Sequence, residues 1–255
     1  MNFGYKSRGF LLAVLAVIAV GHAQAPSAAK QSPTAARGDQ SVESLIKEYR
    51  HVEVASISDA IEQLTGRRMY MTHKMQAIFP THFVGVALTV LLKKSEQKNP
   101  AALDGMLAAI DAGQADSVWV MKIEDGADIA GMGGLMGVAM NARGYAGAVI
   151  DGGVRDVAQL KKIGFPVYST GAVPSTSVHH YVFAGSDIPV NCDGVQVNGG
   201  DIIAADQDGV VVVPRAIATA VLARAQQLDF QEHMMYGYIE QSKSIEAAVK
   251  KTGRL

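Results

Sequence analysis

Between Ser41 and Pro214, short apolar runs alternate with amphipathic stretches, and each change of period predicts an element. Phe83 to Leu92, FVGVALTVLL, is a continuous β-rich apolar run, as expected of a central strand buried on both faces. Pro100 to Ala112 has the spacing of an amphipathic helix, ended by Gly113, and Ser117 to Ile123 reads as the next strand. A glycine cluster, Gly131, Gly133 and Gly134, opens a helix-favouring run from Leu135 to Ala142, with Gly144 beyond its end. Ala146 to Ile150 predicts a short buried strand, followed by a turn, Asp151-Gly152-Gly153, that delivers Val154, Arg155 and Asp156. Val157 to Ile163 predicts a short helix, and Gly164 to Tyr168 a turn into a strand. Further on, Asp201 to Ala205 and Gly209 to Val213 are paired strand candidates around Asp206-Gln207-Asp208. Pro214 suits the first position of a long final helix. Near the start, Ser58 is a candidate N-cap, with Asp59 in the first turn and Gly66 as the stop. The pattern is α/β, with a β-rich second half.

The ends of the chain follow other rules. Lys6 and Arg8 precede an apolar run, Phe10 to Val20, and Gly21-His22-Ala23 supplies small residues at a cleavage site. This predicts a signal peptide over 1–23 and an exported protein, periplasmic or secreted. The run is too short for an ordinary span, so no stable membrane anchor is expected after processing. Residues 24–40 read as a flexible linker, 41–240 as one α/β domain and 241–255 as a polar C-terminal tail. A net charge of −1 offers no basic footprint for nucleic acid, and a single cysteine excludes an internal disulfide framework.

Four groups of residues could carry chemistry. The first joins the helix start at Gly133, Gly134, Leu135 and Met136 to the strand-end pair Arg155 and Asp156. Bare amides at a helix start bind anions, and the guanidinium fork matches a carboxylate. One aspartate with several waters suffices to anchor Mg²⁺. The plain alternative is a surface ion pair beside a tightly packed glycine turn. The second is a dinucleotide site, since Gly131, Gly133 and Gly137 approximate its fingerprint, with Asp151 as the ribose acid. Its third glycine is one residue late, and the strand candidate ends at Ile123, well before Gly131. The third is His179-His180, which on an extended chain would point to opposite faces and not share an ion. The fourth is Cys192, with no activating neighbour in the sequence and the character of a small buried hydrophobe. Asp206 and Asp208 are ordinary turn residues.

GGLMGVAMNARGYAGAVIDGGVRD, then GFPVYSTGAVPSTS and NGGDIIAADQDGVVVVPR, resemble the family of RraA, the regulator of ribonuclease activity A. That family also holds the metal-dependent aldolases of 4-hydroxy-4-methyl-2-oxoglutarate and 4-carboxy-4-hydroxy-2-oxoadipate. SISDAIEQL and FVGVALTV resemble its opening segments, so the likeness runs from about Ser41 to Leu228. It implies an α/β/α swivelling-domain fold, assembled as a homotrimer or dimer of trimers with sites at subunit interfaces. In the aldolase branch, the position of Asp156 holds Mg²⁺ or Mn²⁺, while Arg155 and the Gly134-Leu135-Met136 backbone hold a pyruvyl carboxylate. The implied activity is a lyase that cleaves or decarboxylates 2-oxo-dicarboxylates, oxaloacetate included, to pyruvate. Two departures accompany the resemblance. Aldolases carry an acid where this chain has Gly134, and the family often places a basic residue after the proline of Pro174-Ser175-Thr176. The first is shared with the ribonuclease-regulator branch, which implies the alternative of a non-catalytic, ring-forming binding protein.

Overall fold

The structure is a computed structural model, and it describes residues 40–95, 99 and 101–253. The expected signal peptide and, apart from Gln40, the expected linker lie outside those residues. Two helices come first, α1 (Val42–Tyr49) and α2 (Val54–Thr65), then the two-residue β1 (Gln76–Ala77) and the long β2 (Phe83–Lys94). The middle of the chain alternates α3 (Asp104–Ala112), β3 (Ser117–Ile123), β4 (Ala130–Met132), α4 (Gly134–Ala142), β5 (Gly147–Val154), α5 (Val157–Ile163) and β6 (Val167–Ala172). The remainder is β7 (Tyr181–Ser186), β8 (Val190–Cys192), β9 (Val195–Val197), β10 (Ile202–Asp206) and β11 (Gly209–Val213). It closes with a 3-10 turn (Arg215–Ile217), α6 (Ala218–Ser242) and α7 (Ile245–Thr252).

One mixed sheet in the order β1-β6-β5-β3-β2-β10-β11 forms the middle layer. Its centre, β6-β5-β3-β2, is parallel, and antiparallel strands extend it on either side. Period-two alternation sends successive side chains of β3 into different cores. Val118 and Val120 pack with α1, α2 and α6, whereas Trp119, Met121 and Ile123 pack with α3, α4 and α5. Helices therefore cover both faces, the α/β/α arrangement expected, and Trp119 is fully buried within it. Among the described residues, no helix is long and apolar enough to cross a membrane.

Several boundaries differ from the sequence expectation, each for a physical reason. Ser58 lies inside α2 because the buried stripe Val54, Ile57 and Ile61 begins earlier. The helix start is served from afar: Asp229 Oδ1 accepts the N–H of Glu53, and Asp206 Oδ2 accepts that of Val54. The helix expected from Pro100 begins at Asp104. Pro214 caps the 3-10 turn, and α6 starts at Ala218. Asp151-Gly152-Gly153 is not a turn. Strand β5 runs through it to Val154 with an irregularity after Ile150, because β4 and β6 continue the ladder at Gly153 and Val154. Gly152 sits at φ 156°, a conformation that few residues other than glycine adopt. The described part of the polar tail, up to residue 253, forms the end of α6 and the whole of α7, with Ser244 capping α7 through Ala247 N–H.

Candidate functional site

The site forms where β4 and β5, running parallel, both end. Strand β4 passes directly through Gly133 into α4, so a strand does open onto the glycine turn, contrary to the sequence reading. It is only three residues long, too short for a hydrophobic period to reveal. The three glycines have three separate uses. A Cβ at Gly131 would fall 2.4 Å from Ile123 Cδ1, so that position permits core packing and not ligand approach. A Cβ at Gly133 would fall 2.7 Å from Asp156 Oδ2, so its bareness admits the Arg155–Asp156 pair. Gly134 begins the helix, and its N–H donates to Asp156 Oδ2 at 2.9 Å.

Asp156 occupies the N-cap position of α5 with φ 57° and ψ 35°, a left-handed conformation that aspartate tolerates better than most residues. Its carboxylate makes no capping bond to α5 and turns to cap α4 instead. α4 has no acidic residue in its own first turn. Gly137 N–H donates to Gly133 O, which leaves the Leu135 and Met136 N–H groups with no acceptor among the described residues. Arg155 is held by its N–H donating to Met132 O, and Nη1 donates to Ser175 O at 3.3 Å. Its Nε lies 3.8 Å from Asp156 Oδ2, with both side chains about half exposed. At that distance and exposure the ion pair is worth little by itself. The guanidinium and carboxylate remain available to a ligand.

These groups open onto a cavity of about 330 Å³, within the range of small-ligand sites. One wall is the glycine turn with Arg155 and Asp156, and the opposite wall is the first turn of α3, including Leu103, Met106 and Leu107. The loop after β6 closes a third side with Thr176 through His179. Every site residue expected from sequence, Gly133, Gly134, Leu135, Met136, Arg155 and Asp156, lines this one cavity. The α3 wall was not foreseen: Leu107, exposed beside the cavity, is indistinguishable in the sequence from a core leucine. His179, at φ 68°, reaches the cavity, while His180 does not line it. Ser175, after the proline, is spent on the fold: its hydroxyl accepts from Ala130 N–H and donates to Asp128 O.

The other candidates are structural. Asp151 Oδ2 accepts from Lys122 Nζ at 2.7 Å and from Asp193 N–H at 2.8 Å, so it is not presented to a ribose. Cys192 is fully buried, and burial pushes its thiol pKa up, which leaves no nucleophile. Asp206 caps α2 and binds its own turn at Asp208 N–H. Elsewhere, on the seam between α2 and α6, Glu53, Asp229 and His233 gather. His233 Nδ1 lies 2.8 Å from Asp229 O and its Nε2 3.7 Å from Glu53 Oε1. None of these three lines the cavity.

The architecture and site together define an α/β/α protein with a cavity lined by Arg155, Asp156 and the α4 start at the end of parallel strands. The family profile described as RraA-like, Aldolase/RraA, matches residues 54–212. The chain belongs to this family. It is 28% identical to a putative 4-hydroxy-4-methyl-2-oxoglutarate aldolase of Halalkalibacterium halodurans, over 71% of this chain and 82% of that one. A protein of the same name from Albidiferax ferrireducens is 31% identical over 51% of this chain and 75% of its own. Among solved structures, an uncharacterized Pseudomonas syringae protein superposes with a TM-score of 0.72 at 27% identity, covering 81% and 96% of the two chains. Streptomyces coelicolor RraAS2, described as an unusual member of the RNase ES inhibitor RraA family, gives 0.67 at 25% identity, covering 75% and 94%.

Proposed function

We propose that this protein is a divalent-metal-dependent carbon–carbon lyase that releases pyruvate from 2-oxo acids, by aldol cleavage or decarboxylation. The observation that carries this reading is the convergence of Arg155, Asp156 and the free Leu135 and Met136 amides on one cavity. Asp156 fits a hard cation: its Oδ2 is oriented by Gly134 N–H, and Oδ1 takes no hydrogen bond from any described residue. A single carboxylate with open space suits Mg²⁺ or Mn²⁺, which would keep most of its waters. Bound there, the ion would supply Lewis-acid polarisation of a 2-oxo group.

The chain's own residues account for the rest. The Leu135 and Met136 amides and the N-terminal end of the α4 dipole bind the substrate's 1-carboxylate. The Arg155 fork orients the same end of the molecule and stabilises negative charge that builds on the 2-oxo oxygen. In aldol cleavage the 4-hydroxyl proton leaves to water, and the C3–C4 bond breaks. Its electron pair passes to the pyruvate enolate, and protonation at C3 completes the product. Decarboxylation of oxaloacetate generates the same enolate with loss of CO₂.

The competing reading is a non-catalytic ring-forming protein, favoured by Gly134 in place of the aldolase acid and by Leu135, 89% exposed beside the cavity. With either reading we expect a homotrimer or dimer of trimers, from the family resemblance, and export to the periplasm or medium, from the pattern of residues 6–23. Pyruvate release from oxaloacetate and from 4-hydroxy-2-oxo acids, with and without Mg²⁺ or Mn²⁺, separates the two. Metal-dependent release lost in Asp156→Asn supports the lyase. No release from any substrate, with a stable ring in solution, supports the binding protein.

A further inference from the structure

We infer that Ser175 is a positioning residue: its hydroxyl fixes the carbonyl that aims the Arg155 guanidinium, and so sets how tightly the cavity holds a carboxylate. For its effect on turnover the inference rests on the lyase reading and deepens it; its effect on anion binding needs only Arg155 at the cavity. The Arg155 side chain is about half exposed, and its Nε lies 3.8 Å from Asp156 Oδ2, too far for a hydrogen bond. Its Nη1 does make one, donating to Ser175 O at 3.3 Å. Ordering a long, half-exposed side chain costs entropy, so the guanidinium keeps one direction only as well as its acceptor is fixed.

That acceptor is fastened to β4 by its own side chain. Ser175 Oγ accepts from Ala130 N–H at 3.0 Å and donates to Asp128 O at 2.9 Å. Ala130 is buried, so its N–H depends on that oxygen. Two further bonds hold the loop on either side of Ser175. Val173 N–H donates to Val154 O at 2.9 Å, one residue before Arg155, and Ser177 N–H donates to Ala130 O at 3.1 Å. The arginine is therefore tied to β4 twice, at its root through Met132 O and at its tip through Ser175. Thr176 and Ser177 line the cavity but Ser175 does not, so its influence on a ligand passes through Arg155. Without Oγ, the buried Ala130 N–H loses its acceptor and the Ser175 carbonyl is free to turn. Arg155 then keeps its charge and loses its aim, and a misaimed fork no longer meets a carboxylate with two bonds.

The test is a double-mutant cycle on the purified full chain with Mg²⁺, read by oxalate binding in calorimetry and by pyruvate release from oxaloacetate. Ser175→Ala is expected to weaken oxalate binding by about tenfold and to raise KM by about as much. Ser175→Thr keeps the hydroxyl and should restore both to within about twofold of the parent. In an Arg155→Lys background, where the fork is already gone, Ser175→Ala should change oxalate affinity by less than about twofold. Ser175→Cys, with its weakly accepting sulfur, reads the same coupling if the alanine chain does not fold. A loss that recurs undiminished in the Arg155→Lys background shows a general effect of the loop and overturns the inference. So does a folded Ser175→Ala chain that binds oxalate like the parent, or a parent that binds no oxalate; pyruvate release in either case leaves the lyase reading standing. Oxalate binding coupled between Ser175 and Arg155, with no pyruvate release, supports the positioning role and removes the lyase reading.

Discussion

α3 and α4 present their N-terminal turns to the same cavity, yet only α3 carries an acid of its own there. α3 carries Asp104 in its first turn, and the Asp104, Met106 and Leu107 N–H groups are taken up by the Ala101 and Leu103 carbonyls. α4 has no acid of its own, receives one carboxylate from Asp156 through Gly134, and leaves two amides free. Both helices have the same backbone dipole. What differs is the local accounting of donors: a helix start binds an anion when its N–H groups are unspent and undervalued by nearby acids. Residue for residue, the two starts would be hard to tell apart by helix propensity.

Asp156→Asn strikes the α4 side hardest. Asparagine keeps both the left-handed backbone and an oxygen for Gly134 N–H, so the fold should hold within about 1 kcal/mol. Mg²⁺ or Mn²⁺ binding should vanish in a calorimetric titration, and pyruvate release should fall on the order of 10³-fold. Unchanged metal affinity would remove Asp156 from the metal role. Gly133→Ala comes next. Its Cβ would intrude on Asp156 Oδ2 at 2.7 Å and Arg155 Cγ at 3.0 Å, displacing both groups. Misplacement on that scale should cost about 10²-fold in rate, with a destabilisation of about 1–3 kcal/mol from overpacking. An alanine variant with parent-like activity would show that the pair need not sit where it does.

Arg155→Lys keeps the charge but not the fork, and should weaken oxalate inhibition by about tenfold while barely moving the melting temperature. Gly134→Asp makes the two helix starts alike, each with its own first-turn acid. A Cβ there meets Gln159 Cγ at 3.2 Å and Asp156 Cβ at 3.3 Å, so the flexible glutamine must give way slightly. The new carboxylate would also face that of Asp156. The metal-free variant should melt a few degrees lower, about 1 kcal/mol at this size, and Mg²⁺ should restore it more than it raises the parent. A variant indifferent to Mg²⁺ would count against a cation at Asp156.

The smallest effect is expected away from the cavity, on the α2–α6 seam. A hydrogen bond to Asp229 O, aided by Glu53 and Asp229, raises the His233 pKa above its ordinary 6.5. A raised pKa in the folded state means that the contribution is fully present below pH 6.5 and is lost as pH climbs through the folded value. The ring is exposed, so His233→Ala should shift the melting temperature by a degree or less, and only on the acid side.

Local pattern made much of this molecule legible and missed what is joined across long stretches of chain. β3 at Ser117–Ile123 and α5 at Val157–Ile163 fall where their apolar periods place them. Arg155, Asp156 and the glycine turn could be picked out because their residue types suit one chemistry. The α2 start at Glu53 could not, since its amides are satisfied by Asp206 and Asp229, more than 150 residues away. Asp151-Gly152-Gly153 has the composition of a turn, yet neighbouring strands recruit it into β5. The α3 wall stayed hidden for a related reason: a leucine on a helix reads as core until a cavity is seen beside it.

Trp119 gives the molecule a built-in optical reporter. It is the single tryptophan of the chain, fully buried on β3 among side chains of the α3–α4–α5 layer, and its indole N–H has no partner in the structure. Its emission should therefore be blue-shifted in the native state and move red in one step as the sheet opens. Because the ring lies behind the cavity and does not line it, titrating a 2-oxo acid should leave the spectrum in place unless α3 shifts. A single fluorescence channel can thus tell whether a variant has lost its site or lost its sheet.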